Sequence, residues 1–202
     1  MTTLADMVTD ISLRLVLNGS GKDTEITNCI YQAIRMNQRK RYWFLRKIDS
    51  VTLTVGAGTV SVPTDFSVIE SVDLIYLTQR YTNKTGFRLL DFDEFKRLYM
   101  ISTTMPSGTP TACALLNRTL YVNYLPTVEM TLDFTYFQKD AALPSSAQTS
   151  VWFDDGYDLI RSTAQYLMES SVLQNPDASP SEMNGMQAVL DEQHTFYERA
   201  RR

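Results

Sequence analysis

Residues 109–140 read TPTACALLNRTLYVNYLPTVEMTLDFTYFQKD, and this stretch decides the predicted fold. Its second half alternates with a period of two, which is typical of a half-buried strand. The apolar positions of that alternation are Val128, Met130, Leu132, Phe134 and Tyr136. A shorter alternation precedes it at residues 120–124, and Pro126 lies between the two. Because proline favours turns and disfavours strand interiors, the stretch is predicted to form a β-hairpin.

The residues between those apolar positions are polar, and they predict a water-exposed face on the second strand. They are Glu129, Thr131, Asp133 and Thr135. An isolated hairpin is only marginally stable in water, so the apolar face must be covered by other parts of the chain.

The region before this stretch is also predicted to form strands. Residues 51–55 and 59–63 alternate on either side of Gly56-Ala57-Gly58, which predicts a second hairpin. Residues 67–77 are predicted to form a third strand region, and residues 91–100 a short helix capped by Asp91 or Asp93. Residues 48–150 are therefore predicted to be an antiparallel β domain with one short helix.

Helices are predicted on both sides of this β domain. Residues 1–47 have apolar residues at spacings of three and four, which predicts a helical hairpin whose first helix is capped by Thr3. Residues 151–202 have the same spacing in two further helices, the last of which begins with Ser181 as its cap. The predicted fold class is α+β, with a helical bundle of N- and C-terminal helices and an inserted β region. Residues 141–150 are predicted to be an extended linker.

Composition restricts the classes of function. The 202 residues have a net charge of -4, which implies no general attraction to nucleic acid. The sequence contains no run of eighteen apolar residues, so no membrane span is predicted. The N-terminus is acidic and does not have the pattern of a secretory signal. The protein is therefore expected to remain in the compartment where it is made. Cys29 and Cys113 are far apart in the sequence and are expected to be buried thiols.

Residues 39–47 read RKRYWFLRK and are predicted to end the second helix. Basic residues that alternate with aromatic residues can hold phosphates and stacked bases, which favours a nucleic-acid-binding module. Cations near the end of a helix are also favoured by its dipole, and aromatic residues there commonly pack on the core. The candidate residues for a subunit or nucleic-acid contact are Arg39, Lys40, Arg41 and Trp43.

Three patterns that resemble catalytic or metal sites do not predict one. Residues 19–22 read GSGK, but Val16 and Asp23 stand where a phosphate-binding loop requires glycine and Ser or Thr. His194 is the only histidine and has acidic neighbours, which indicates a solvated or interface residue. Asp154 and Asp158 are expected to cap a helix and complement its dipole. No catalytic residue, cofactor or metal ion is therefore predicted, and the protein is not expected to be an enzyme.

The order of short motifs resembles the head-to-tail adaptor proteins of tailed bacteriophages, also called connector or tail accessory proteins. The motifs are Tyr42-Trp43-Phe44 at a helix exit, VSVPTDF at residues 60–66, Gly108-Thr109-Pro110, LYVNYLP at 120–126, TLDFTYF at 131–137, and WFDDGYD at 152–158 before a long final helix. The resemblance covers residues 1–200.

The resemblance implies a structural protein of the virion. Similar adaptors form a ring, usually dodecameric, beneath the portal protein at the capsid vertex, and this ring joins the tail and leaves a channel for DNA. The expected partners are therefore the portal protein, a nozzle or tail-tube protein, and other copies of the chain. DNA is expected to pass without sequence-specific binding, and no membrane is involved. The expected location is the head-tail junction, after synthesis in the host cytoplasm.

Two surfaces are predicted for these contacts. The final helix is expected to dock on the portal, because an apolar face of this kind requires a cover. Its docking residues are predicted to be Met183, Met186, Leu190, Tyr197, Arg199, Arg201 and Arg202. The polar face of the central hairpin, residues 129–135, is expected to face the tail.

Overall fold

A computed structural model describes residues 2–17, 21–83, 85–100, 104–139 and 150–200. Within these ranges the chain forms six α-helices and eight β-strands, so the predicted α+β class is confirmed. The chain divides into two compact units, Met1–Leu45 with Asp140–Arg202, and Arg46–Lys139. The first nine residues of the predicted linker, 141–149, lie outside the described residues. In the described ranges every helix is too short or too polar to cross a membrane.

The helices follow the predicted order. They are α1 (Leu4–Arg14), α2 (Asp23–Asn37), α3 (Phe92–Tyr99), α4 (Val151–Asp154), α5 (Tyr157–Leu167) and α6 (Ser181–Ala200). A 3-10 turn at Trp43–Leu45 follows α2, and a π-helical turn at Met168–Val172 extends α5. Only α3 belongs to the second unit.

The N-terminal helices begin as the sequence predicts, but α2 ends early. The Thr3 hydroxyl accepts a hydrogen bond from the Asp6 amide at 3.2 Å, and the Asp6 carboxylate accepts one from the Thr3 amide at 2.8 Å. These two bonds form a capping box. Helix α2 ends at Asn37, whose side chain donates to the Ala33 carbonyl at 2.9 Å. The prediction that residues 39–47 form the end of this helix is therefore wrong.

The core of the first unit lies between its helices. α1, α2 and α5 pack against one another, and α6 packs on α5. The fully buried side chains include Met7, Ile11, Ile26, Ile30, Trp152 and Ile160. Cys29 is a buried free thiol, as is Cys113 in the second unit, so the prediction for both cysteines is confirmed.

The second unit contains two four-stranded sheets. The strands are β1 (Arg46–Leu53), β2 (Thr59–Ser61), β3 (Phe66–Tyr76), β4 (Gln79–Tyr81), β5 (Arg88–Leu90), β6 (Ala112–Leu116), β7 (Thr119–Val122) and β8 (Met130–Gln138). The first sheet has the order β1-β8-β3-β4, and the second has the order β2-β7-β6-β5. β5 pairs with β6 in parallel, so the prediction of an entirely antiparallel region is wrong at this pair.

The predicted central hairpin does not form. β7 lies in the second sheet, whereas β8 lies in the first sheet between β1 and β3. Pro126 does separate the two strands, but the segment around it crosses from one sheet to the other and does not reverse the chain within one sheet. The Leu125 amide donates to the Pro106 carbonyl at 2.9 Å, and the Gly56 amide donates to the Pro126 carbonyl at 2.9 Å. The crossing segment therefore pairs with two loops.

The predicted second hairpin is wrong for the same reason. β1 pairs with β8 along its whole length, from Arg46 opposite Phe137 to Leu53 opposite Met130. β2 pairs instead with β7 in the other sheet. The turn at Gly56, whose φ is +74°, therefore connects two sheets.

Two hairpins do form, and each has a two-residue turn. β6 and β7 are joined by Asn117 and Arg118, with φ values of +48° and +67°. β3 and β4 are joined by Leu77 and Thr78, with φ values of +47° and +65°. Positive φ at both central residues matches the twist of a hairpin. Such turns usually contain Asn, Asp or Gly, as the first turn does with Asn117, whereas the second contains none of them.

The two sheets share one apolar core. It includes Leu53, Val72, Leu132 and Phe134 from the first sheet, and Leu120 and Val122 from the second. Helix α3 begins at the Asp91 cap, as predicted, and packs Phe95 against Ala112 and Ala114 of β6. The apolar positions of the β8 alternation from Met130 onward are buried, as predicted, but Val128 is exposed.

Candidate functional site

Helix α6 packs on the chain's own α5, and its predicted portal-docking seam is partly buried. Leu190 is buried, and Met183, Met186 and Tyr197 are half-buried. Ser181 is the first helical residue and not the cap, because the Ser179 hydroxyl accepts from the Ser181 amide at 3.3 Å. The expectation that this seam is a free docking face is therefore wrong at Leu190.

Polar contacts hold the middle of α6. Asp191 accepts hydrogen bonds from the Tyr42 hydroxyl at 3.3 Å and from Gln187 at 2.8 Å, and its other oxygen lies 3.5 Å from the Lys40 ammonium. Gln187 also donates to the Tyr42 hydroxyl. Burial raises the pKa of Tyr42 to about 12, despite the opposing bond from Gln187. Tyr42 therefore remains neutral, and its hydroxyl can donate a hydrogen bond to Asp191.

A second polar contact holds the start of α6. The Arg161 guanidinium on α5 lies 3.2 Å from Glu182 on α6 and 3.1 Å from Asp158 on its own helix. Asp10 of α1 lies 3.8 Å from the same group. Since Arg161 is only 12% exposed, one cation connects three helices where water screens it weakly.

One side of α6, next to its packed face, is exposed. Phe196 is 73% exposed and Val189 is 48% exposed, and they lie seven residues apart on one side of the helix. Arg199 is exposed beyond Phe196, whereas Arg201 and Arg202 lie outside the described residues. We call Val189, Phe196 and Arg199 the outer face of α6. Their spacing was visible in the sequence, but the stronger Met and Leu seam defined the predicted face.

The basic aromatic stretch divides into buried and exposed residues. Tyr42 is buried, and its ring stacks on Phe44 at 5.4 Å and meets the edges of Trp152 and His194. Trp43 is half-buried against Phe44. Arg39 and Arg41 are exposed, whereas Lys40 is paired with Asp191. Residues 39–45 therefore provide three exposed cations, one of them paired, and no fully open aromatic ring.

A cavity of about 160 Å³ lies beside α6 in the first unit. Its lining combines three acids, Asp154, Asp155 and Asp158, with apolar groups from Met186, Val189 and Leu190. Among the described residues no group of three or more His, Cys, Asp or Glu side chains is arranged to hold a metal ion. Asp154 and Asp158 are thus placed in a cleft between helices.

The predicted tail-facing residues of β8 are not all exposed. Glu129 is exposed and Thr131 is half-buried, but Asp133 and Thr135 are buried. The carboxylate of Asp133 accepts from the Ser50 hydroxyl at 2.6 Å and from Arg80 at 2.6 Å. The prediction of a wet face is wrong at these two residues, because β8 is a central strand whose neighbours extend polar side chains over it.

One end of the first sheet presents apolar side chains to water. Val55, Leu77 and Val128 are 61%, 74% and 41% exposed. The β1–β8 register brings Leu53 opposite Met130, so Val55 and Val128 continue as neighbours at this end. The β3–β8 register brings the turn at Leu77 to the same end. We call Val55, Leu77, Val128 and Glu129 the sheet tip. The sheet tip could not be predicted from the sequence, because its three apolar residues come from three separate turns.

A charged cluster supports the opposite end of this sheet. The Asp65 carboxylate accepts from Lys47 at 2.9 Å and from the Tyr136 hydroxyl at 2.7 Å. Burial opposes ionisation of Asp65, but these two hydrogen bonds outweigh it and hold its pKa below the usual value. The bond to Asp65 raises the pKa of Lys47, and burial raises the pKa of Tyr136 to about 12. Asp65 therefore links the first residues of β1, through Lys47, to the last residues of β8, through Tyr136.

Comparison with known proteins identifies a family. No curated protein matches the chain. The family model described as SU10 adaptor protein matches residues 2–201, which is nearly the whole chain. This family consists of structural phage adaptors and is not a class of enzymes. A match to this family indicates that the protein is a virion component and that it associates with other virion proteins. The resemblance to phage head-to-tail adaptors is thus confirmed, and the chain belongs to the SU10 adaptor protein family.

Proposed function

We propose that this chain is a head-to-tail adaptor that forms a ring, usually dodecameric in similar proteins, between the portal protein and the tail of a bacteriophage. Family membership over residues 2–201 supports an adaptor role. The observation that carries the proposal further is Phe196, a large aromatic side chain that is 73% exposed on a long helix. Aromatic residues of this kind are typical anchors of protein interfaces.

The proposed portal contact is the outer face of α6. Val189 and Phe196 supply an apolar patch, and Arg199 supplies a cation at its end. Arg201 and Arg202 add two cations in the sequence that follows. Met183, Met186, Leu190 and Tyr197 then have a different role, because they are buried or half-buried within their own chain and leave the outer face exposed.

Replacement of the anchor tests this contact. The variant Phe196→Ser is expected to bind portal rings at least about tenfold more weakly, measured by co-sedimentation, because an interface anchor is lost. Leu13→Ser is the matched control, since Leu13 is an exposed apolar residue on α1 at 55%. Equal binding by Phe196→Ser and the unaltered chain would contradict the proposed contact.

The proposed tail contact is the sheet tip. Its three exposed apolar side chains stand beside Glu129, which the sequence had already assigned to the tail-facing side. Leu77 also has a φ of +47°, which is unusual for a residue of this type. An exposed apolar residue at a strained position is a reasonable sign of a contact site.

The variant Leu77→Asn separates binding from stability. Asparagine tolerates positive φ better than leucine, so the fold is expected to be retained. Tail joining to portal-bound adaptor is expected to fall, measured as the yield of joined particles. Ile48→Thr is the control, since Ile48 is 61% exposed on β1 away from the tip. Loss of portal binding by Leu77→Asn would reverse the assignment of the two surfaces.

In this proposal residues 1–47 and 151–202 form one helical bundle that contacts the portal, and residues 48–150 contact the tail. The exposed Arg39 and Arg41 are available for a contact between subunits. DNA passes through the ring without sequence-specific binding. The net charge of -4 supports this passage, because a protein with net negative charge has no general attraction for DNA phosphates.

A further inference from the structure

Helix α6 is long but packs loosely on its own chain. Of its 20 residues only Leu190 is buried. Met183, Met186 and Tyr197 are half-buried and add apolar contact. The polar contacts are those of Glu182 with Arg161, and of Gln187 and Asp191 with Tyr42 and Lys40. Lys40 and Asp191 are 45% and 52% exposed, so their ion pair contributes little stability. The helix is therefore placed specifically but held weakly.

The segment that leads to α6 has the properties of a hinge. Residues 173–180 connect the π-helical turn to α6, and most of them are exposed. Their hydrogen bonds are local, such as the Asn175 amide to the Glu169 carbonyl at 2.9 Å. Gln174 has a φ of +51°, which costs energy in a non-glycine residue. Pro176 and Pro180 limit the conformations of the segment.

We propose that α6 exchanges between neighbouring copies in the assembled ring, so that α6 of one copy lies on α5 of the next. The occupant of the α5 surface is then a second copy of the same helix. Every contact described above is preserved, because the surface is already complementary to α6. Such exchange of an identical element is a low-cost route from monomer to oligomer. The ring itself rests on the proposed function.

The length of the hinge sets the reach of this exchange. Eight extended residues span about 26 Å, so α6 can reach a neighbouring α5 that lies within this distance of the end of its own α5. An extended hinge also releases Gln174 from its positive φ. The outer face of α6 stays exposed in either arrangement, since the exchange changes only which copy provides α5. Portal docking and helix exchange therefore use different sides of α6.

Isotope mixing with a zero-length cross-linker tests the exchange directly. Unlabelled and ¹⁵N-labelled chains are mixed in equal amounts, assembled on portal rings, and treated with a carbodiimide, which joins an amine to a carboxylate without a spacer. Lys40 and Asp191 lie 3.5 Å apart and become linked. Lys47 and Asp65, 2.9 Å apart within the second unit, are the internal control.

Exchange predicts that about half of the Lys40–Asp191 links in the ring join a labelled peptide to an unlabelled one. Lys47–Asp65 links remain within one isotope, as do all links in the unassembled chain. Rings in which Lys40–Asp191 links also remain within one isotope would overturn the exchange and leave the adaptor function intact. A chain that does not assemble with portal, shown by native mass spectrometry of the same mixture, would overturn both.

Discussion

Helices α5 and α6 pack against each other, but they bury very different shares of their residues. α5 has 11 residues, of which six are buried, including Leu159, Ile160 and Ala164. α6 has 20 residues, of which one is buried. Burial of apolar surface is the main source of stability. The comparison indicates that α5 contributes much to the stability of the first unit, whereas α6 is attached to α5 with little buried surface of its own.

This difference suits an assembly protein. A helix held by apolar burial separates from its core only at a large cost in free energy, whereas exposed polar contacts exchange at a small cost. α6 can therefore change partners while α5 retains the fold. Substitutions in α5 are therefore expected to destabilise the protein more than substitutions in α6.

Truncation of one buried residue in each helix gives the largest effects. Ile160→Ala in α5 is expected to lower the free energy of unfolding by about 3 to 5 kcal/mol, because it leaves a cavity in a fully buried site. Leu190→Ala in α6 is expected to cost about 2 kcal/mol, since Leu190 already borders a cavity. Denaturant titrations measure both values. A larger loss for Leu190→Ala would invert the comparison.

Two glycines give opposite signs. A Cβ on Gly156, which precedes α5, would lie 2.6 Å from the Trp152 ring, so Gly156→Ala is expected to cost about 1 to 3 kcal/mol. A Cβ on Gly185, inside α6, has nothing within 4 Å, so Gly185→Ala is expected to add about 0.5 to 1 kcal/mol of helix stability. Thermal melts of the two variants measure the signs. A shift in the same direction for both would be inconsistent with these environments.

The Tyr42 contact gives a smaller, pH-dependent effect. Tyr42→Phe is expected to cost about 1 kcal/mol at neutral pH, through the lost hydrogen bonds. Burial raises the pKa of Tyr42 from 10.0 to about 12, so the folded state keeps this proton when the unfolded state has lost it. Its contribution is complete below pH 10 and is lost as the pH rises to about 12.

Titration of stability between pH 10 and 12 measures this contribution. Tyr42→Phe is expected to show a weaker decline than the unaltered chain over that window. Some decline remains, because burial and the bond to Asp10 raise the pKa of Tyr157 to about 12 in the same unit. Equal slopes for the variant and the unaltered chain would show that Tyr42 is not held neutral by the fold.

The outer face of α6 gives the smallest effect on stability. Phe196→Ser is expected to change the free energy of unfolding by less than about 0.5 kcal/mol, because an exposed side chain loses few contacts. The same variant is expected to lose portal binding, so stability and binding effects run in opposite order along α6. Comparison of its melting temperature with that of Leu13→Ser checks the neutral result. A marked loss of stability would mean that Phe196 is packed in solution.

The sequence predicted local structure well where one signal was sufficient. Thr3 and Asp91 cap their helices as expected, and residues 67–77 form β3 almost within the predicted bounds. Alternation also identified β1 and β8 as strands. Strand pairing was not predictable in the same way, because β1 finds its partner 77 residues or more away in β8. Alternation reports which face is buried and says nothing of the neighbouring strand.

The candidate surfaces were predicted only in part for a related reason. A central strand such as β8 has neighbours on both sides, so Asp133 is covered by Arg80, which no local pattern indicated. The seam of α6 was correctly identified as apolar, but the sequence does not distinguish a partner's surface from the chain's own α5. The family resemblance came from ordered motifs, and it did not depend on the pairing of strands.

The most direct test of the adaptor role is the mass of the assembly. Native mass spectrometry of the purified chain, alone and mixed with portal rings from the same phage, measures whether copies bind in fixed number. The proposed function predicts a complex of constant stoichiometry that contains the portal ring and a closed ring of this chain. A chain that ignores the portal but binds DNA in a salt-dependent manner would contradict it, and would favour a nucleic-acid-binding module at residues 39–47.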